Sequence, residues 1–145
     1  MKKPSVIVCE RRGTWAAALG RHLPPEMGMR QIRSLDQCAG ELAELPGSLL
    51  ALELRRENLL GVLDLLVELG REFPLARFVM LAERGCEEYE KLMHEAGAVY
   101  FSTSPRQLSS VARLASNHLQ RQPTMRVSLA AEIWSSLPWG DAALK

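Results

Sequence analysis

The sequence has no surplus of either charge: 18 Lys and Arg stand against 17 Asp and Glu, for a net charge of +1. Nucleic-acid binding needs clustered basic residues in clear excess. Here they cluster only in pairs, so no nucleic-acid partner is expected. Cysteines are few. Cys9, Cys38 and Cys86 are an odd number without metal-ligand spacing, which argues against a disulfide framework or a zinc site and for a reduced, cytoplasmic setting. Long apolar runs are missing as well. "VIVC", between "MKK" and "ERR", is too short for a signal-peptide core, and no stretch approaches a membrane span. There is no glycine-rich phosphate loop. "CERRGTW" is not the C-x5-R loop of the cysteine phosphatases, because the required position is Trp15. His22, His94 and His118 fall on three separate predicted helices with no Ser or Asp partner in sight, so no triad can be argued. These absences point away from an enzyme, a bound metal or a cofactor.

What remains is the composition of one globular domain: 145 residues, 47% apolar and 24% charged. The apolar pattern alternates in kind. "SVIVC" (Ser5 to Cys9) is a β-branched run, and "TWAAALGRHL" (Thr14 to Leu23) has helical spacing. "MRQIR" reads as a weak strand, and Ser34 to Gln37 as a capping box opening a helix to about Leu45. "SLLALEL" (Ser48 to Leu54) is a continuously apolar third strand, after which Asn58 should cap "LLGVLDLLVELGREF", ended by Pro74. "ARFVMLA", the helix "CEEYEKLMHEAGA" stopped by Gly97, "VYFST", and a last helix from about Pro105 to Arg121 complete the series. Strands alternating with helices imply a parallel sheet covered on both faces, with chemistry at the carboxyl ends of the strands.

"EAGAVYFSTSP", Glu95 to Pro105, resembles the EAGA-x-x-[YF]-x-x-K-P segment of the receiver domain of bacterial two-component response regulators. Element order and loop lengths extend the resemblance over about Pro4 to Gln120. It implies an α/β, doubly wound, flavodoxin-like five-stranded parallel sheet in the order 2-1-3-4-5. In that family two acids after the first strand and an aspartate after the third hold magnesium. The aspartate accepts a phosphoryl group, a hydroxyl residue on the fourth strand contacts it, and a lysine before the proline pairs with it. The corresponding positions here are Cys9 and Glu10, Glu53, Ala82, and Ser104 before Pro105, with Phe101 as the fifth-strand aromatic. A hard cation prefers near-octahedral oxygen ligands, so a thiol beside two glutamates suits it poorly. The resemblance is to a degenerate receiver, a pseudo-receiver, in which phosphotransfer is not expected.

Glu53 has three readings: phosphoacceptor, fixed mimic of the phosphorylated state, or partner of a neighbouring arginine, the last being favoured. Arg11, Arg12, Arg55, Arg56 and Arg84 should form a rim around Glu10 and Glu53. That rim either pairs with nearby carboxylates or binds an anion or nucleotide. The third helix carries more apolar residues than a stripe of roughly 100° requires, which suggests a cover besides the sheet. Residues 1–121 are read as the pseudo-receiver and 122–145 as a tail. The tail's "SLAAEIWSSLPWG" offers Leu129, Ile133, Trp134, Leu137 and Trp139 for docking on the parent domain, a second copy or another protein. The whole is expected to be a protein-interaction module of bacterial signalling or regulation, without a membrane partner, with an anion or nucleotide sensor as the alternative.

Overall fold

Short β-branched and aliphatic runs between turn segments become the strands, and the segments of helical period between them become the crossovers. The computed structural model describes residues 3–120. Strands β1 (Val6–Cys9), β2 (Met29–Ile32), β3 (Leu49–Leu54), β4 (Arg77–Ala82) and β5 (Ala98–Ser102) alternate with α1 (Thr14–Gly20), α2 (Cys38–Glu44), α3 (Leu59–Glu72), α4 (Glu90–Ala96) and α5 (109–120). All strand pairs are parallel, in the order β2-β1-β3-β4-β5. This is the expected doubly wound architecture.

Alternation along the strands divides the core in two. Cys9, Leu50, Leu52, Leu54, Met80 and Phe101 face a layer built by α2, α3 and α4. Val8, Leu49, Ala51, Val79 and Leu81 face Trp15 and Leu19 of α1 and Val111 and Ala115 of α5. The central strands are therefore apolar on both faces, as a covered parallel sheet requires. The register shifts between Phe78 and Val79, so that Val79 pairs with Tyr100 and Met80 with Phe101. That irregularity brings Ala98 and Phe101, an odd number of residues apart, onto the same face.

Several element ends follow from local chemistry. Ser34 Oγ accepts from the Asp36 amide at 3.2 Å and Gln37 Oε1 from the Ser34 amide at 3.1 Å, forming the expected capping box. The turn it opens is a 3₁₀ turn, Leu35–Gln37, before α2 proper. The last helix begins likewise: Pro105–Gln107 is a 3₁₀ turn. Gly97 ends α4 at φ 121, a conformation that a side chain would strain. Asn58 differs from expectation. Its side chain makes no cap to α3; instead Oδ1 accepts from the Arg55 amide at 2.7 Å and Nδ2 donates to the Glu53 carbonyl at 2.9 Å. The strand end, not the helix, holds this amide because the tight turn at Arg56–Asn58 leaves those backbone groups closer.

Helix α3 buries Val62, Leu66 and Leu69 and packs Leu59, Leu63 and Leu65 partly against the same layer. Much of its apolar excess is thus absorbed by the core, while Leu60 (75% exposed) and Val67 (45%) remain outside. The tail segment with Trp134 and Trp139 lies outside the described residues. So does Arg121.

Helix α5 is tied to the sheet through His118. Its Nε2 lies 2.9 Å from the Gly47 carbonyl, which can only accept, so the proton sits on Nε2. Burial disfavours the charged ring and lowers its pKa below the ordinary 6.5. Between the lowered value and 6.5 the unfolded chain binds a proton that the folded chain does not, so stability should rise with pH across that window. Urea unfolding of wild type and His118→Gln at pH 5 and pH 7 checks this at those chosen conditions, roughly a window's span. The wild type should lose more stability on acidification than the variant; equal losses would refute the linkage.

Candidate functional site

The carboxyl ends of β1, β3, β4 and β5 surround a cavity of about 680 Å³. Its floor comes from Ala82, buried at the end of β4, and from Glu53 near the end of β3. Trp15 and Thr14 of α1 form one wall, Thr103, Ser104 and Pro105 another. Arg11, Arg12, Arg55 and Arg84 close the rim. The fold thus gathers Glu53, Ala82, Ser104, Pro105 and four of the five rim arginines around one space.

Cys9, Glu10, Phe101 and Arg56 do not line it. Arg56 turns outward, with Nη2 donating to the Gly85 carbonyl at 3.1 Å and lying 3.5 Å from Glu88 Oε1. Phe101 is buried in the α2–α4 layer. Cys9 is buried in that layer too, against Cys38 of α2. The Cys38 thiol donates to Cys9. This hydrogen bond holds the Cys9 thiol below the ordinary thiol range and, with burial, pushes Cys38 well above it.

Glu10 is 2% exposed and serves a helix. Its Oε1 accepts from the Trp15 amide at 2.9 Å, and its Oε2 accepts from the Ala16 amide. Both are first-turn donors of α1 that have no partner within the helix. A negative group there also meets the positive end of the helix dipole. Gly13, at φ 88, makes the turn that brings the helix start back over Glu10; a Cβ at Gly13 would come within 3.0 Å of Gln31 Nε2. Sequence reasoning placed Glu10 within a rim of arginines. The signal for its actual role was the Gly13-Thr14 helix start four residues on.

Glu53 Oε1 lies 3.3 Å from Arg55 Nε and 3.5 Å from the Arg11 amide. The Nε–H direction misses the carboxylate, so the contact is ionic without a full hydrogen bond. Both side chains are largely covered, 15% exposed for Glu53 and 20% for Arg55. The arginine partner favoured on sequence grounds is therefore present beside Glu53. Ser104 Oγ accepts from the Arg106 amide at 3.2 Å, capping the 3₁₀ turn after β5.

Magnesium, which the receiver resemblance implies, does not fit these residues. One prospective ligand is a thiol committed to the core, the second carboxylate has both oxygens on helix amides, and the third faces a guanidinium. Among the described residues no group of three His, Cys, Asp or Glu is placed to hold a metal ion.

Comparison with known proteins places the fold. A CheY-like protein, TadZ, from Pseudomonas aeruginosa PAO1 superposes with a TM-score of 0.66 at 18% identity, over 80% of this chain and 99% of that one. The chain has the receiver-type, CheY-like fold. No family model matches the sequence, and no curated protein matches it. Among the described residues no helix is long and apolar enough to cross a membrane.

Glu10→Ala leaves two first-turn amides without acceptors and should destabilise the fold by about 3 kcal/mol, the lower end for two charge-assisted hydrogen bonds. Glu10→Gln keeps one acceptor and should recover part of that loss. Urea midpoints measure both; a loss near zero for Glu10→Ala would show that the contact contributes nothing. The cysteines give a second test, because a lowered thiol pKa favours reaction while burial blocks it. With Cys9, Cys38 and Cys86 only 4%, 0% and 1% exposed, burial should dominate. Intact-mass analysis after iodoacetamide should show no adduct on native protein and all three cysteines alkylated in guanidinium.

Proposed function

We propose that this chain is a phosphorylation-independent pseudo-receiver, a non-enzymatic protein-interaction module in bacterial signal transduction or regulation. One observation carries the reading: the residues at the two first-strand metal positions are engaged structurally, Glu10 in holding α1 and Cys9 in the α2–α4 layer. Phosphoryl transfer depends on cations placed to neutralise charge on the equatorial oxygens. A misplacement of about 1 Å in a reacting group can alone cost roughly a hundredfold in rate, and here the hydroxyl and lysine positions carry Ala82 and Ser104.

Glu53 facing Arg55 gives the site a permanent charge pair in place of a switchable one. A domain so built presents one surface constantly. Its partner is a protein, either a second copy of the chain or another component, and its setting is the cytoplasm. The likeness to a CheY-like protein supports a place in signalling.

The reading predicts that magnesium with beryllofluoride, or with acetyl phosphate, leaves the protein unmodified. Intact mass should be unchanged, and the amide chemical shifts around Phe101, which lies outside the cavity in the α2–α4 layer, should not move. A covalent phosphoryl adduct on Glu53 would overturn the reading in favour of an authentic receiver with an unusual acceptor.

A further inference from the structure

Three guanidinium groups at the cavity rim have no counter-ion among the described residues. Arg11 and Arg12, on the loop after β1, and Arg84, on the loop after β4, all line the cavity and are exposed. Among the described residues none of their side chains makes an ion pair or hydrogen bond. This is unlike the remaining arginines of the same edge. Arg55 faces Glu53, and Arg56 is held by Gly85 and Glu88.

Like charges converging on one concavity repel, and a concave surface focuses their field on whatever enters. Guanidinium offers planar, paired donors that match the oxygens of a phosphate, and it keeps its charge without tuning. The opposite demand comes from Glu57 and Glu83, which line the same cavity and whose side chains also lack partners among the described residues. Ionised carboxylates accept hydrogen bonds and donate none. A bare inorganic anion would satisfy the arginines and be repelled by these two. A ligand complementary to both sets carries a dianionic group together with hydroxyl or amino donors.

Size agrees with this. The volume of about 680 Å³ falls within the roughly 300–1,000 Å³ of small-molecule sites, well above what orthophosphate fills. The Thr14, Thr103 and Ser104 hydroxyls along the walls can both donate and accept. Trp15 bounds one side. Ala82 at the floor leaves room where a longer polar side chain would intrude.

We propose that this cavity binds a hydroxyl-bearing phosphate monoester of sugar-phosphate or mononucleotide size, noncovalently and without a metal ion, with Arg11, Arg12 and Arg84 on the phosphate and Glu57 and Glu83 on the hydroxyls. The site goes beyond the interaction-module reading and stands independently of it. No bond forms or breaks, so Glu53 stays unmodified whether or not the ligand is bound.

Isothermal titration of the full chain in EDTA with ribose 5-phosphate, AMP and inorganic phosphate tests it. One or both esters should bind saturably, at least about tenfold tighter than inorganic phosphate. Arg11→Ala combined with Arg84→Ala should weaken ester binding by roughly tenfold or more, the loss of charge-assisted contacts on the phosphate. Glu83→Gln should weaken the esters and leave inorganic phosphate no weaker. Arg30→Ala, which removes a guanidinium paired with Glu41 outside the cavity, should change nothing. The proposal is overturned if neither ester saturates below about 10 mM, if inorganic phosphate binds as tightly as the esters, or if the arginine double variant, shown folded by near-ultraviolet circular dichroism, binds them undiminished. Binding that appears only when magnesium replaces EDTA also overturns it.

Discussion

The placement of one carboxylate governs the functional edge of this fold. Glu10 is buried, and its two oxygens take up the amides of Trp15 and Ala16 at the start of α1. A seven-residue helix has little stability of its own. It is held by tertiary contacts, and this one fixes its axis relative to β1. Trp15, set on the first turn, then becomes both a core residue and a wall of the cavity. Because Glu10 turns inward, Arg11 and Arg12 are carried to the rim.

The sheet supplies the rest of the geometry through side-chain alternation. Leu50, Leu52 and Leu54 point into the α2–α4 layer, and Leu49 and Ala51 into the α1–α5 layer. Glu53 shares the parity of Leu49 and Ala51, which brings it to the side where α1 begins and the cavity opens. Asn58 then fixes the backbone on either side of it by bonding the Glu53 carbonyl and the Arg55 amide. The Glu53–Arg55 contact therefore rests on a braced turn. Its position is a product of backbone hydrogen bonding as much as of charge.

Elements governed by local pattern were legible in the sequence. The strands, the Ser34 capping box, the Gly97 stop and the strand order expected from the resemblance all appear in the structure, with ends differing by a few residues. Side-chain direction at the strand ends was not legible. Glu10, read as a rim acid, is a helix anchor; Arg56, read with the rim, faces Gly85; and Asn58, read as a helix cap, braces a strand end. In each case the residue type offered several partners of similar strength. Only the three-dimensional proximity of a backbone group decided among them, and neither charge nor spacing encodes that proximity.

The thiol pair has a meaning beyond packing. Cys9 occupies a position where the receiver resemblance expects an acid, yet its side chain is sealed against Cys38 in an apolar layer. An aspartate substituted there alone would enter this layer as an unpaired charge, at a cost of several kcal/mol even after relaxation. The Cys9–Cys38 contact thus sets an entry cost for charge at this position, one that falls on folding before any metal is met.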